Sequence, residues 1–173
     1  MKFNNNKYFI DSSALITINR FYPARVFPDL WNYIDELFSE KRLFSHEMVF
    51  DEIIPSNGPK DEIGKMIFKF KSSFFPITNK QGQLALKILS IFPKLIDPRA
   101  KKDEADPWII ALVIEKMEEL NLFGVDSDFI LVSAESEKSE TKIPAVCKYF
   151  KVRHMSLFQF FEDNGWQFSM LRR

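Results

Sequence analysis

Cysteine and histidine are scarce in this chain of 173 residues, which has one cysteine, Cys147, and two histidines, His46 and His154. A single cysteine excludes an intrachain disulfide and a zinc site built from cysteines, and two histidines argue against a histidine-rich metal site. Long apolar runs are also absent: the run 108–114 is far too short to span a membrane, and residues 1–7 lack the apolar core of a signal peptide. We therefore expect a soluble cytoplasmic protein with no membrane partner.

Net charge is absent too, because 24 Lys and Arg residues balance 24 Asp and Glu residues. These charges are unevenly spread. The segment 55–102, called here the basic segment, has ten basic and three acidic residues and a net charge of +7. The rest of the chain has 14 basic and 21 acidic residues and a net charge of −7. This separation of charge is more informative about partners than the total of zero.

Apolar and aromatic residues are abundant, since 46% of the chain is hydrophobic and 19 residues are Phe. A length of 173 residues suits one domain with a substantial core. We expect residues 1–173 to form a single domain with an aromatic-rich interior.

The stretch 8–16 is an apolar run interrupted by Asp11, Ser12 and Ser13. This order predicts a strand over 7–11, followed by a turn and a helix. In an open parallel sheet, ligands bind beyond the carboxyl ends of the strands, where Asp11 would lie with both serines beside it as hydrogen-bonding groups. Because Asp is also a favoured N-cap, the local pattern leaves a ligand and a cap as alternatives of roughly equal weight.

A second apolar run, 129–133, repeats this pattern, because it ends at Ser133 and is followed by Glu135. Two buried strands that end in acids, with long helical stretches between them, indicate the α/β class with a mostly parallel sheet. We therefore expect Asp11 and Glu135 to meet at the carboxyl edge of that sheet.

Glu52 is the informative acid of the next helix, which we place at 46–54 with Ser45 as its N-cap. It follows Val49 by three residues and shares its apolar helix face, whereas Asp51 points away. A carboxylate on a face directed at the core is costly unless it meets a cation or a donor. The alternative is a rim residue that reaches water.

Asp106 and Pro107 open a further helix, whose residues 108–114 are apolar all round, so that we expect it to be central. Asp106 suits the N-cap and Pro107 the first helical position. A purely capping role is a strong alternative for Asp106.

Four carboxylates, those of Asp11, Glu52, Asp106 and Glu135, would then share one cleft. Because they repel one another, some would take up protons unless a cation compensates. Ligands that are all oxygen atoms suit Mg²⁺ or Mn²⁺ rather than zinc. Such a site can activate water and stabilise the charge on a phosphodiester during displacement.

The basic segment contains two helical stretches, 60–73 and 82–92. In and just after the first of these stretches, Phe residues interleave with lysines. This pattern suits a groove for a phosphate backbone with stacking aromatic rings. The slightly favoured alternative is that the lysines form a solvated helix face and the Phe residues belong to the core.

Four short motifs, taken in order, resemble those of the PIN-domain nucleases, especially the VapC-like toxins of bacterial toxin–antitoxin pairs. The motifs lie at 9–16, 49–53, 105–111 and 131–135, and their acids follow the order of that family. Two further segments, 27–31 and 142–147, look like a poorly characterised PIN-like branch. The resemblance covers most of the chain.

The resemblance implies a three-layer α/β/α domain, with the basic segment as a helical insertion, that acts as a metal-dependent endoribonuclease and as the toxin of a toxin–antitoxin pair. It implies that Asp11, Glu52 and Asp106 hold the main Mg²⁺ or Mn²⁺ ion and that Glu135 completes this site or a second one. The implied partners are an RNA substrate, a cognate antitoxin and a second copy of the chain. The family usually has an aspartate two residues after a threonine where this chain has Ser133 and Glu135.

An acidic site repels a polyanion, so positive charge is needed elsewhere to bind RNA. We expect the basic segment to lie beside the acidic cleft and to grip the RNA backbone. The lysines expected to do so are Lys65, Lys69, Lys71, Lys101 and Lys102.

Two other functions are compatible with parts of this pattern. A PIN-like module with a decayed site would bind RNA or a protein without catalysis, although intact acids at all four positions argue against it. A phosphatase of the haloacid dehalogenase type also uses an aspartate at a strand end, but it normally needs a second aspartate two residues later, where this chain has Ser13.

Overall fold

Five parallel strands form the centre of the protein in the computed structural model, which describes residues 6–99, 104–122 and 129–167. The strand order is β3-β2-β1-β4-β5, and every pair of neighbours is parallel. The strands are β1 (Lys7–Ile10), β2 (Leu43–His46), β3 (Phe74–Phe75), β4 (Phe129–Ser133) and β5 (Arg153–Ser156).

The described residues also form eight α-helices that connect or flank these strands. None of them, within the part of the chain that the structure covers, has the length and apolar character needed to cross a membrane. The helices are α1 (Ser12–Phe21), α2 (Pro28–Ser39), α3 (Glu47–Ile53), α4 (Glu62–Lys69), α5 (Asn79–Ile91), α6 (Asp106–Asn121), α7 (Ile143–Phe150) and α8 (Leu157–Asp163).

The helices lie on both faces of the sheet. Because crossovers between parallel strands are right-handed, the reversal of strand order at β1 places α1 to α4 on one face and α5 to α7 on the other. The contacts agree, since α1 packs on α3 and α4, and α6 packs on α5 and α7. The predicted α/β class, three layers around a parallel sheet, is confirmed.

The two central strands carry the hydrophobic core. In β1, the side chains of Tyr8, Phe9 and Ile10 are at most 1% exposed, and the middle of β4 is fully buried. Five consecutive residues of α6, from Ile109 to Val113, are buried as well. This burial all round confirms the prediction that α6 is a central helix.

The strand order places the ends of β1 and β4 side by side. Ile10 is in register with Val132, and the backbone N–H of Asp11 donates a hydrogen bond to the Val132 carbonyl oxygen at 2.9 Å. The connections from β1 leave toward β2 on one side, and β4 lies on the other side, so this is the topological switch point of the sheet. The sheet therefore brings Asp11 to the position where parallel α/β folds bind ligands.

The start of α3 differs from the prediction that Ser45 caps it. Ser45 lies within β2, and its Oγ donates a hydrogen bond to the carbonyl oxygen of Ile10 at 2.6 Å. His46 is the N-cap, because its Nδ1 accepts the backbone N–H of Met48 at 3.0 Å. The strand continues two residues further than its apolar pattern indicates, since Ser45 finds its partner on β1.

The basic segment is more than a helical insertion. It supplies α4, the edge strand β3 and α5, and β3 is too short to leave a periodic pattern in the sequence. Phe70 and Phe74 are buried, and their rings stack on Phe38 with centroid distances of 5.2 and 6.0 Å. They belong to the core, as the slightly favoured alternative predicted, and are not placed to stack on bases.

A buried polar network joins β2, α5 and α6. Gln81 donates from Nε2 to Glu115 Oε2 at 2.6 Å, and its Oε1 lies 3.0 Å from His46 Nε2. Thr78 donates from Oγ1 to the other oxygen of Glu115 at 2.7 Å. His46, Gln81 and Glu115 are each at most 5% exposed, so the network satisfies polar groups that have little access to water.

We expect Gln81→Leu to lower the free energy of unfolding by roughly 2 to 3 kcal/mol, because it leaves buried groups of Glu115 and His46 without partners. Urea unfolding measures this change. The matched control is Gln83→Leu, which alters an exposed residue of the same helix and should have an effect near zero. Equal losses in the two variants would contradict the assigned role of the network.

Candidate functional site

Asp11 lies at the centre of the carboxyl edge. It is the N-cap of α1, and its Oδ2 accepts the backbone N–H of Ser13 at 3.0 Å. Its Oδ1 is buried and has no hydrogen-bond partner among the described residues. Burial raises the pKa of this carboxyl, the hydrogen bonds from Ser13 oppose the rise, and the charges of Glu135 and Glu52 add to it. The cap and ligand alternatives are thus compatible, because one oxygen caps and the other remains open.

Asp106 faces the same cluster from α6. It is the first residue of that helix and does not cap it, which corrects the predicted N-cap; the N-cap position is Ala105. Burial raises the pKa of the Asp106 carboxyl, and the negative charges of Asp11, Glu135 and Glu52 raise it further. The positive charge of Lys142 acts in the opposite direction.

Glu52 reaches this edge from α3 without being buried. Its side chain is exposed, which corrects the prediction that it packs on the core-facing stripe beside Val49. Its Oε1 accepts the backbone N–H of Ala105 at 2.7 Å, so it supplies the cap that α6 lacks from its own residues. Asp51 is exposed as well.

Glu135 is bound by the beginning of α7. Its Oε2 accepts the backbone N–H of Ile143 at 2.8 Å, and its Oε1 lies 3.5 Å from the ammonium of Lys142. The Glu135 side chain is only 15% exposed. Lys142 was not among the predicted site residues, although Pro144 marks the first turn of a helix directly after it.

The serines predicted beside the acids connect the ends of β1 and β4. Ser13 accepts the backbone N–H of Ala134 through its Oγ at 3.0 Å. Ser133 is buried, lies 2.9 Å from His154 Nε2 through its Oγ, and accepts the backbone N–H of Glu135 at 3.4 Å. Ser12 is buried in the first turn of α1. Ser13 and Ser133 thus hold the backbone that carries Glu135.

The beginnings of three helices, α1, α6 and α7, meet at this edge, and each binds a carboxylate. Asp11 caps α1, Glu52 binds the N-cap of α6, and Glu135 binds the first residue of α7. The positive end of a helix dipole and its free N–H groups favour negative charge. These contacts offset part of the repulsion among the four acids.

The acids do not form a closed coordination sphere. Among residues 6–99, 104–122 and 129–167, no three His, Cys, Asp or Glu side chains are placed to hold a metal ion together. The hydrogen bonds described above explain this, since Glu52 and Glu135 are directed at backbone amides. The residues still fit a hard divalent cation, because the donors are all carboxylate oxygens and the buried Oδ1 of Asp11 is open.

Two of the predicted RNA-binding lysines, Lys69 and Lys71, lie before the amino end of β3 and not at the carboxyl edge. Lys69 pairs with Asp35 of α2 at 2.6 Å, and the Lys71 ammonium lies 5.4 Å from the ring centroid of Phe50. Both precede β3, the edge strand two positions from β1. Lys65 pairs with Glu62 within α4 at 3.0 Å. Lys101 and Lys102 lie outside the described residues.

These features define a three-layer parallel α/β protein with an acidic site at the switch point of its sheet. The chain belongs to the family described as a domain of unknown function, DUF4411, which matches residues 8–168. None of the curated proteins matches the sequence. Among solved structures, it is similar to a chain in the crystal structure of VapBC2 from Rickettsia felis bound to a DNA fragment from their promoter. That match has 13% identity and a TM-score of 0.47, and it covers 86% of this chain and 97% of the other.

The metal-free protein should lose stability as the pH rises, and Asp11→Asn should reduce that loss. Folding raises the pKa of Asp11 from 3.8 to about 6 and that of Asp106 from 3.8 to about 8. A carboxyl whose pKa is higher in the folded than in the unfolded state stabilises the fold at pH values below its unfolded pKa. This stabilisation is lost as the pH rises through its folded pKa. Asparagine keeps the cap and removes the charge. At pH 8 the variant should be more stable than the wild type by about 3 kcal/mol.

Urea unfolding in the presence of a chelator, at intervals from pH 4 to pH 9, measures this difference. Asp51→Asn is the control, because it removes an exposed carboxylate from α3. A stability difference between Asp11→Asn and the wild type that does not grow with pH would show that Asp11 is only a helix cap.

Proposed function

We propose that this chain is a Mg²⁺- or Mn²⁺-dependent endoribonuclease whose active site is formed by Asp11, Glu52, Asp106 and Glu135. The observation that carries the proposal is the open Oδ1 of Asp11. It belongs to a side chain that is 1% exposed, and the negative charges of Glu135 and Glu52 act on it. A buried acceptor without a donor is costly, so a group that binds it is expected.

The four acids divide into an inner and an outer pair. Asp11 is buried at the N-cap of α1 and Asp106 is partly buried at the first position of α6, so these two acids are suited to form the permanent part of a cation site. Glu52 and Glu135 have longer side chains, and each accepts a hydrogen bond from a backbone N–H. A water molecule can take the place of the carboxylate in such a bond, which leaves the carboxylate free to bind a cation. A divalent cation, when bound, lowers the pKa of water and stabilises negative charge on a phosphodiester.

The resemblance to PIN-domain toxins is the basis for proposing RNA as the substrate and an antitoxin as the partner. It is also the basis for proposing that two copies of the chain form a dimer. In this proposal the protein acts in the cytoplasm as the toxin of a toxin–antitoxin system and residues 1–173 form one domain. The acidic edge accounts for a cation, and the phosphodiester is the substrate class that such a cation activates.

One observation favours the alternative of a PIN-like module without catalytic activity. Glu52 and Glu135 satisfy backbone amides, and in the described part of the chain no metal-binding group is formed. In such a module these acids would only cap helices. Isothermal titration with Mg²⁺ and with Mn²⁺ separates the two functions, because only the nuclease needs a cation at this edge.

The decisive experiment maps cleavage sites in total RNA after expression of the wild type and of Asp11→Asn. We expect new RNA ends with the wild type alone, and a chelator should prevent cleavage by the purified protein. Asp106→Asn and Glu135→Gln should also abolish cleavage, with the fold preserved. RNA ends that are identical in the wild type and Asp11→Asn would contradict the nuclease function.

Glu52→Gln should abolish cation-dependent cleavage, whereas Asp51→Asn should leave it nearly unchanged. Glu52 lies against the start of α6, beside Asp106, and its charge acts on both inner acids. Its neighbour Asp51 is exposed on the same short helix and serves as the matched control. Parallel cleavage assays and cation titrations measure both effects. Equal losses of activity in the two variants would contradict the assignment of Glu52, and not Asp51, to the active site.

In this proposal Lys65, Lys69 and Lys71 contact a part of the RNA strand that continues from the acidic edge toward β3. We therefore expect their combined change to glutamine to weaken binding of a long single-stranded RNA at every sequence. The slope of log affinity against log salt should flatten by roughly 0.7 for each lost phosphate contact. An oligonucleotide of about four nucleotides should be unaffected, since it covers a short site only.

Binding to the inactive Asp11→Asn protein across a salt series measures this slope. The control removes the same charge at Lys7, Lys148 and Lys151, which are exposed near the beginning of β1 and the end of α7. An unchanged slope for long RNA would mean that Lys65, Lys69 and Lys71 form only a solvated surface.

A further inference from the structure

Lys142 is a basic residue within the acidic edge. It is the residue before α7, and its ammonium lies 3.5 Å from Oε1 of Glu135. Its side chain is 44% exposed, whereas that of Glu135 is 15% exposed. The ammonium thus lies on the solvent side of a carboxylate that is largely buried.

The position of Lys142 is unfavourable for its helix. A positive charge at the beginning of a helix opposes the helix dipole, which favours anions there. Lys142 also gives α7 no side-chain cap. What stabilises the ammonium at this place is the acidic cluster, since it pairs with Glu135 and its charge also acts on Asp106.

We propose that Lys142 is an exchangeable counter-ion, whose ammonium neutralises Glu135 while no divalent cation is bound and moves to a phosphate oxygen of the substrate once a cation takes its place. This inference rests on the proposed cation-dependent function of the site. It adds a substrate-positioning residue to that function.

The geometry permits this exchange. An ion pair with a partly exposed partner is weak, so a divalent cation can compete for the Glu135 oxygen. The lysine side chain is a compact charge on a flexible stem, and it binds phosphate as a point charge. Because the ammonium is already on the solvent side of the cleft, a change in side-chain rotamers can direct it outward while Ile143 keeps its hydrogen bond to Glu135.

Titration calorimetry with Mg²⁺ tests the first half of the exchange. It is done at about pH 9, above the raised pKa of Asp106, so that protons do not compete for that acid. Lys142→Met should bind Mg²⁺ roughly two- to fivefold more tightly than the wild type, the value of one partly exposed ion pair. Lys142→Arg should restore affinity toward that of the wild type, and Lys138→Met, an exposed lysine in the same loop, is the control for lost charge.

Acylation of lysines, followed by mass spectrometry, tests the movement itself. The reactivity of Lys142 should rise when Mg²⁺ is added and fall again when a single-stranded DNA oligonucleotide supplies phosphodiesters. The reactivity of Lys138 should change little in either step. These changes do not depend on cleavage.

The outcomes separate this inference from the function on which it rests. A wild-type protein that binds no Mg²⁺ would overturn the cation-dependent function. Normal Mg²⁺ binding, with the same affinity in Lys142→Met or an unchanged reactivity of Lys142, would overturn the exchange alone. Reactivity that rises with Mg²⁺ but is insensitive to the oligonucleotide would overturn the contact with phosphate.

Discussion

Repulsion among four carboxylates is the constraint on which the carboxyl edge of this sheet depends. Burial raises the pKa of both Asp11 and Asp106, the charge of Asp11 raises that of Asp106 further, and the charges of Glu135 and Glu52 act on both. The beginnings of α1, α6 and α7 lie at this edge, and each donates a backbone N–H to one carboxylate. Helix dipoles and free N–H groups stabilise anions, but they do not remove the repulsion between the inner pair.

The sheet order explains why the acids meet at all. Asp11 and Glu135 follow strands that are neighbours in the sheet but far apart in the chain, and Asp106 opens the helix that packs on β4, β2 and α5. This arrangement concentrates charge at the switch point, where a concave site can form. One oxygen of Asp11 remains open at this point, and the proposed cation site rests on that observation.

Much of this arrangement could be predicted from local pattern. Apolar runs that end in an acid located β1 and β4, and an apolar run without a polar face identified α6 as central. What the sequence could not show depends on partners distant in the chain. His46 caps α3 in place of Ser45 because Ser45 is bound to β1, and Glu115 is buried because Gln81 and Thr78 satisfy it. The pairing of Lys142 with Glu135 is local in the chain, but it depends on the conformation of the loop between β4 and α7, which has no periodic sequence pattern.

The contacts of Glu135 give a physical reason for a glutamate at this position. Its carboxylate spans from the end of β4 to the first turn of α7, where one oxygen accepts a backbone N–H and the other faces an ammonium. An aspartate would be shorter by one methylene than the side chain that makes these two contacts. The longer side chain keeps the fourth charge available to the site while placing it against groups that stabilise it. The departure from the usual aspartate therefore belongs with Lys142 and the beginning of α7 as one arrangement.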